Sequence, residues 1–226
     1  MVGVTRGLSY LHENEVVHGD LKSVIGVSYS FFNSSRLTCL FQPNILIDAG
    51  GSPRLSDFGL CSITKNIESV NASTPNQGCT IRYCAPELLD VGNAVKDVKR
   101  KPTNKSDMYS LSMVIVEVCI PCGSMEYPGS DRFPLQLATG HMPFPDHTDH
   151  NVTLMISKGK RPSKPSRFEA PGMTAGVWKI AKKCWSEKAK ERLEADAVLQ
   201  RLQSVNKNGG CTHEACSCLP WELIDE

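Results

Sequence analysis

The sequence predicts an α+β fold carried mainly by helices, and three observations predict it. Apolar residues recur at helical spacing in four stretches, 1–13, 104–117, 177–184 and 195–205. Two short apolar runs, 44–48 and 53–56, read as a pair of strands around the turn Ala49-Gly50-Gly51. The length, 226 residues, suits one domain with a buried core.

In the first stretch, Val4, Leu8 and Leu11 form one helical face, with His12 and Glu13 at its polar end. Asn44 to Asp48 reads as a short buried strand, and Pro53 to Ser56 as its partner. Residues 61–80 are rich in Ser, Thr and Asn and lack periodicity, as a mobile segment would; 90–102 is charged and loop-like. Asn104 to Glu117 reads as a buried helix, with Ser106 or Asp107 near its start as a candidate N-cap. Val177, Ile180, Ala181 and Cys184 form one helical face, and Ala195, Val198, Leu199, Leu202 and Val205 another. Asn206 to Gly210 then reads as a linker to a flexible Cys-rich tail, 206–226.

Composition excludes several classes. A net charge of +1 gives no footprint for nucleic acid, and no apolar run approaches the roughly 20 residues of a membrane span. The N-terminus does not read as a signal peptide. Ten cysteines scattered through the chain are read as reduced thiols in a cytosolic protein, which makes the sequons at Asn33, Asn71 and Asn151 coincidental. In the tail, Cys211, His213, Cys216 and Cys218 are zinc-compatible types, but their compressed spacing favours free thiols over a metal site.

The chemistry-bearing residues come in a fixed order: H-G-D-L-K-S at His18 to Ser23, S-D-F-G at Ser56 to Gly59, and A-P-E at Ala85 to Glu87. This order resembles the protein-kinase signature set. The resemblance covers about 1–205 and extends to P-F, R-P, C-W and E-R-L downstream, which look like the tyrosine-kinase-like group of Ser/Thr kinases, fungal sets in particular. It implies the α-helical C-lobe of an α+β kinase fold, without the N-lobe sheet.

By that resemblance Asp20 orients the substrate hydroxyl, Lys22 steadies the transferring phosphate, and Asn44 and Asp57 hold Mg²⁺ with ATP. His18 is a structural hydrogen-bonding residue of the catalytic loop, and Asp107 holds that loop's backbone. Arg192 pairs with Glu87, and Thr80 lies in the substrate-docking end of the activation segment. Lys22 and Thr80 favour Ser/Thr on a protein substrate. Two departures stand out. Gly19 replaces the usual arginine, which puts regulation by activation-segment phosphorylation in doubt, and Cys79 replaces a glycine. No G-x-G-x-x-G, V-A-I-K lysine or partner glutamate helix is found in the chain, so negligible activity is expected of it as written.

Two segments interrupt the pattern, 24–42 and 118–136. Joining Ser23 to Pro43 restores H-G-D-L-K-S-P-N-I-L-I-D, and joining Glu117 to Leu137 restores M-V-I-V-E-L-A-T-G-H-M-P-F. Both segments have the same length, begin with Val and end with Gln. Val codons begin GT and one Gln codon is CAG, so each fits an intron translated in frame; the alternative is two loop insertions, whose entropic cost is small. Segment 24–42, apolar and β-prone with one charge at Arg36, is an aggregation liability if translated. Against the enzyme stand two alternatives: a non-catalytic kinase-lobe module that binds partners, or a product with no function of its own.

Overall fold

Helix α1, Val2–Glu13, lies at the start of a mostly helical arrangement in the computed structural model, which describes residues 1–23, 44–47, 52–57, 62–63, 80–89, 101–117, 142–165 and 172–208. The segments 24–42 and 118–136 and the Cys-rich cluster of the tail lie outside the described residues. After α1 come β1 (Val16–Val17), β2 (Ile45–Ile47), β3 (Pro53–Leu55) and β4 (Ser62–Ile63). Four helices follow: α2 (Asn104–Glu117), α3 (Asp149–Ser157), α4 (Ala175–Cys184) and α5 (Ala195–Asn208). Single 3-10 turns occupy Ile81–Tyr83, Pro86–Leu88 and Ala189–Glu191.

Helix α2 is the axis of the core. Every residue from Ser106 to Glu117 is buried, so this length of the helix has no solvent face, and its polar members Ser106, Asp107, Ser110, Ser112 and Glu117 are buried with the apolar ones. Its start is tied by a reciprocal pair in which the Ser106 N–H donates to Thr103 Oγ1 (3.2 Å) and the Thr103 N–H donates to Ser106 Oγ (2.8 Å). The cap is therefore Thr103 with Ser106, and Asp107, a candidate from sequence, does not serve as one. Helix α4 packs on α2, and α5 packs on α1 and α4. Ile180, Ala181, Cys184, Val198 and Leu202 close that side of the core. Trp178 and Trp185 meet edge to face there, with centroids 5.2 Å apart.

The strands form two antiparallel ladders, β2 with β3 (Ile45 opposite Leu55) and β1 with β4 (Val16 opposite Ile63). The first was expected, although it is one-sided rather than buried, since Leu46 is 46 % exposed. The second was not, because two-residue strands leave no alternation to read. The β2–β3 ladder lies against α1 at Gly3 and Gly7. A Cβ at Gly3 would come within 2.5 Å of Pro53 and one at Gly7 within 3.2 Å of Leu55, so both glycines are needed for close approach.

Helix α3 was also unforeseen. Only Val152 and Ile156 are buried on it, too few for a periodic signal, and it starts where the Thr148 hydroxyl accepts the Asn151 N–H (3.4 Å). Helix α5 continues to Asn208, past the predicted linker boundary. Cys84 is buried and disulfide-bonded, against the expectation of uniformly reduced thiols; Cys184 is free and buried. No helix among the described residues is long and apolar enough to cross a membrane.

Candidate active site

Strand β1 delivers His18 to Ser23 onto the N-terminal end of α2. There the buried Asp107 carboxylate accepts three donors: the His18 N–H (2.8 Å) and His12 Nε2 (2.9 Å) at Oδ2, and the Gly19 N–H (2.9 Å) at Oδ1. Three donors and the positive end of the helix dipole compensate a buried carboxylate. Gly19 has φ +84°, a left-handed conformation that glycine adopts freely and an arginine would not. His18, fully buried, accepts the Asp20 N–H at Nδ1 (3.4 Å), and its Nε2 lies 3.2 Å from the Ser56 carbonyl. That assignment makes Nε2 the protonated nitrogen.

Three of the predicted site residues converge on the carboxylate of a fourth, Asp20. Asp20 Oδ1 accepts both the Thr80 N–H and the Thr80 hydroxyl, each at 3.0 Å. Asp20 Oδ2 pairs with Lys22 Nζ at 2.8 Å and accepts from Asn44 Nδ2 at 3.2 Å. The same Asn44 nitrogen donates to the Asp20 carbonyl at 2.6 Å. Asn44 thus reaches across the interruption in sequence to the residue it was predicted to join. Asp57 follows the β2–β3 ladder on the same stretch that carries Ser56. It stands exposed one residue beyond Ser56, whose N–H donates to the Asn44 carbonyl (2.9 Å), and it has φ +58°.

One atom in the cluster points to a cation. Asn44 Oδ1 is buried with no hydrogen-bond partner among the described residues, and such an acceptor oxygen is what a hard divalent ion takes. Asn44 therefore fits Mg²⁺, with the exposed Asp57 carboxylate as the second predicted oxygen donor.

The other pair lies at a distance. Arg192 Nη1 and Nη2 grip Glu87 Oε1 and Oε2 at 2.6 and 2.7 Å, a two-pronged bond to a half-exposed carboxylate from a guanidinium that is fully buried. Arg192 also donates to the Ser186 (2.9 Å) and Lys105 (2.8 Å) carbonyls. Its guanidinium and that of Arg161 both lie over the Tyr109 ring, at 5.3 and 5.2 Å.

Sequence reasoning missed four residues that assemble this region. His12, placed at a polar end, is a buried partner of Asp107; its i, i+4 relation to Leu8 was the available signal. Arg82 donates to Asp149 (2.9 Å) and to the carbonyls of Pro143 (2.8 Å), Phe144 (2.6 Å) and His147 (2.5 Å). Tyr83 bonds both the Ser23 carbonyl, at 2.8 Å, and Glu117. Arg82 and Tyr83 lay inside the T-x-R-Y motif already singled out. Glu117 carried no signal beyond being a charge at the end of an apolar helix.

The interlocked loop thus lies in the same domain as an A-P-E turn held by a distant arginine. The model of the family described as protein tyrosine and serine/threonine kinase matches residues 39–202, and the chain belongs to that family. Among similar proteins, the human anti-Muellerian hormone type-2 receptor is 28% identical over 90% of this chain and 35% of its own length. The mitogen-activated protein kinase kinase kinase dlk-1 of Caenorhabditis briggsae is 29% identical over 92% of this chain and 22% of its own. The PR5-like receptor kinase of Arabidopsis thaliana is 30% identical over 80% and 22%. The chain thus spans about a third or less of the length of these relatives.

Proposed function

We propose that the chain carries the catalytic-loop part of an ATP-dependent Ser/Thr protein kinase of the tyrosine-kinase-like group. The observation that carries this reading is the convergence of Lys22, Asn44 and Thr80 on the Asp20 carboxylate. Asp20 already accepts a hydroxyl hydrogen bond, from Thr80, which is the contact needed to orient an attacking Ser or Thr hydroxyl. In the transfer, the substrate oxygen bonds to the γ-phosphorus, the bond to the ADP oxygen breaks, and the hydroxyl proton goes to Asp20. Lys22 places a cation beside the phosphoryl oxygens, and Asn44 Oδ1 and Asp57 would hold Mg²⁺, whose chemistry when bound is to neutralise phosphate charge.

The sequence motifs that cover the ATP phosphates and supply the second lysine are not found within these residues. The isolated chain is therefore expected to transfer phosphate negligibly. Asp20-dependent phosphorylation of a generic protein substrate by the purified chain would overturn that expectation. For nucleotide, titration should give weak Mg²⁺-dependent ATP binding that Asn44→Ala and Asp57→Ala each abolish; binding unchanged in both would remove those residues from the site.

A binding-module reading draws support from Asp20 itself, since both its oxygens are already engaged. It predicts peptide binding that is indifferent to ATP. The segments 24–42 and 118–136 are proposed to be translated introns. Sequencing the transcript tests this: removal of both blocks joins Ser23 to Pro43, and their retention leaves two genuine insertions.

A further inference from the structure

At the C-terminal end of α2, three polar atoms share too few protons. The Tyr83 hydroxyl touches two acceptors, the Ser23 carbonyl at 2.8 Å and Glu117 Oε2, at a very short separation. A phenol has one proton. If it goes to a Glu117 carboxylate, the Ser23 carbonyl faces only the lone pairs of the phenol oxygen in a buried site, which is repulsive. If it goes to Ser23, the carboxylate faces the lone pairs instead. A second proton, on Glu117, resolves both conflicts.

We propose that Glu117 is a positioning residue that works as a neutral carboxylic acid: its O–H donates to Tyr83 Oη, and the Tyr83 O–H donates to the Ser23 carbonyl. This chain of two bonds ties the end of the catalytic loop to the docking segment through α2. It goes beyond the phosphotransfer reading and does not rest on it.

The surroundings favour the neutral form. Glu117 is the last residue of α2, 4 % exposed, where the helix dipole opposes a negative charge. Tyr83 is its titratable neighbour, and no cation among the described residues bonds it. Arg82, next to Tyr83, is committed to Asp149 and three carbonyls, and Lys22, next to Ser23, to Asp20. Arg161 and Arg192 stack on Tyr109, roughly 12 Å back along the helix, and Asp107 with His12 sits at its far end. Burial pushes the Glu117 carboxyl up to about 7, outweighing the opposite pull of the Tyr83 hydroxyl, and burial also raises Tyr83.

Two measurements on the whole chain test this. Infrared or carbon-13 spectroscopy should find one protonated glutamate carboxyl at pH 6 that titrates near pH 7 and is absent from Glu117→Gln. Its absence from the unmodified protein at pH 6 overturns the proposal. The second is the pH profile of unfolding. A carboxyl raised from 4.5 to about 7 binds its proton more tightly in the folded state, so stability is greatest below 4.5 and falls as pH rises toward 7. Across that window Glu117 adds a rise in the unfolding constant approaching tenfold per pH unit, and Glu117→Gln should lack this component. Parallel profiles for the two proteins overturn the proposal.

Discussion

Helix α2 holds a buried carboxylic side chain near each end, and the two are treated oppositely. Asp107, in the first turn, meets two backbone N–H groups and His12. Glu117, ten residues and about 15 Å away, meets one hydroxyl that is also pledged to a carbonyl. Burial is the same, 1 % against 4 % exposure. What differs is the count of protons offered and the sign of the helix end. The comparison teaches that a buried acid is defined by its donors rather than by its depth: one end of α2 is built to hold a charge, the other to hold a proton.

The largest test of that contrast is to remove the donors' target. Asp107→Ala leaves two buried N–H groups without a partner, and we expect a loss of about 4 kcal/mol, read as a fall of about 10 °C in Tm. A loss under about 1 kcal/mol would mean the loop at His18 and Gly19 is held elsewhere. Next comes Arg192→Ala, which strands Glu87 and uncovers one face of Tyr109. We expect about 3 kcal/mol by urea denaturation, with Arg192→Lys recovering only part because an ammonium cannot make the two-pronged bond.

The third test sets the two acids side by side. At pH 6, Glu117→Gln should cost less than about 1 kcal/mol, since an amide N–H can replace the acid O–H, whereas Asp107→Asn should cost about 3 kcal/mol by turning an NH₂ toward N–H donors. Equal costs would erase the distinction. The last test is Gly19→Ala, which should cost about 1 kcal/mol because a Cβ disfavours φ +84°. It would show how much of the loop's fit to Asp107 depends on glycine at that position.

What the sequence disclosed about this region follows the same division. Helices α1, α2, α4 and α5 were legible because each buries a periodic face, Val4 with Leu8 or Val198 with Leu202. Asp20, Lys22, Asn44 and Thr80 could be picked out as a set by motif order, and joining Ser23 to Pro43 across the interruption already placed Asn44 beside Asp20. Helix α3 and the β1–β4 ladder were illegible, because two buried residues or two-residue strands carry no period. The partners that tie the loop down were illegible for a different reason. His12, Arg82 and Glu117 act across long sequence separations, and a single polar residue in a helix does not announce what it will face. Asp107 was read correctly as a residue near the helix start, yet the cap proved to be Thr103 with Ser106, since hydroxyls can both give and receive there.

Arg82 has a consequence of another kind. Three of its four bonds end on main-chain oxygens, of Pro143, Phe144 and His147, and oxygens of that kind are present whatever side chain the residue bears. The grip is therefore blind to the identity of the stretch it fastens. The exposed side chains 145–147 can be exchanged while their path is kept, whereas the buried Phe144, the helix cap Thr148 and the ion-paired Asp149 are each restricted by what they touch. One guanidinium thus concentrates the positional constraint in a single codon and leaves the exposed positions open to variation, so the surface beside residues 80–83 can be rewritten without being rebuilt.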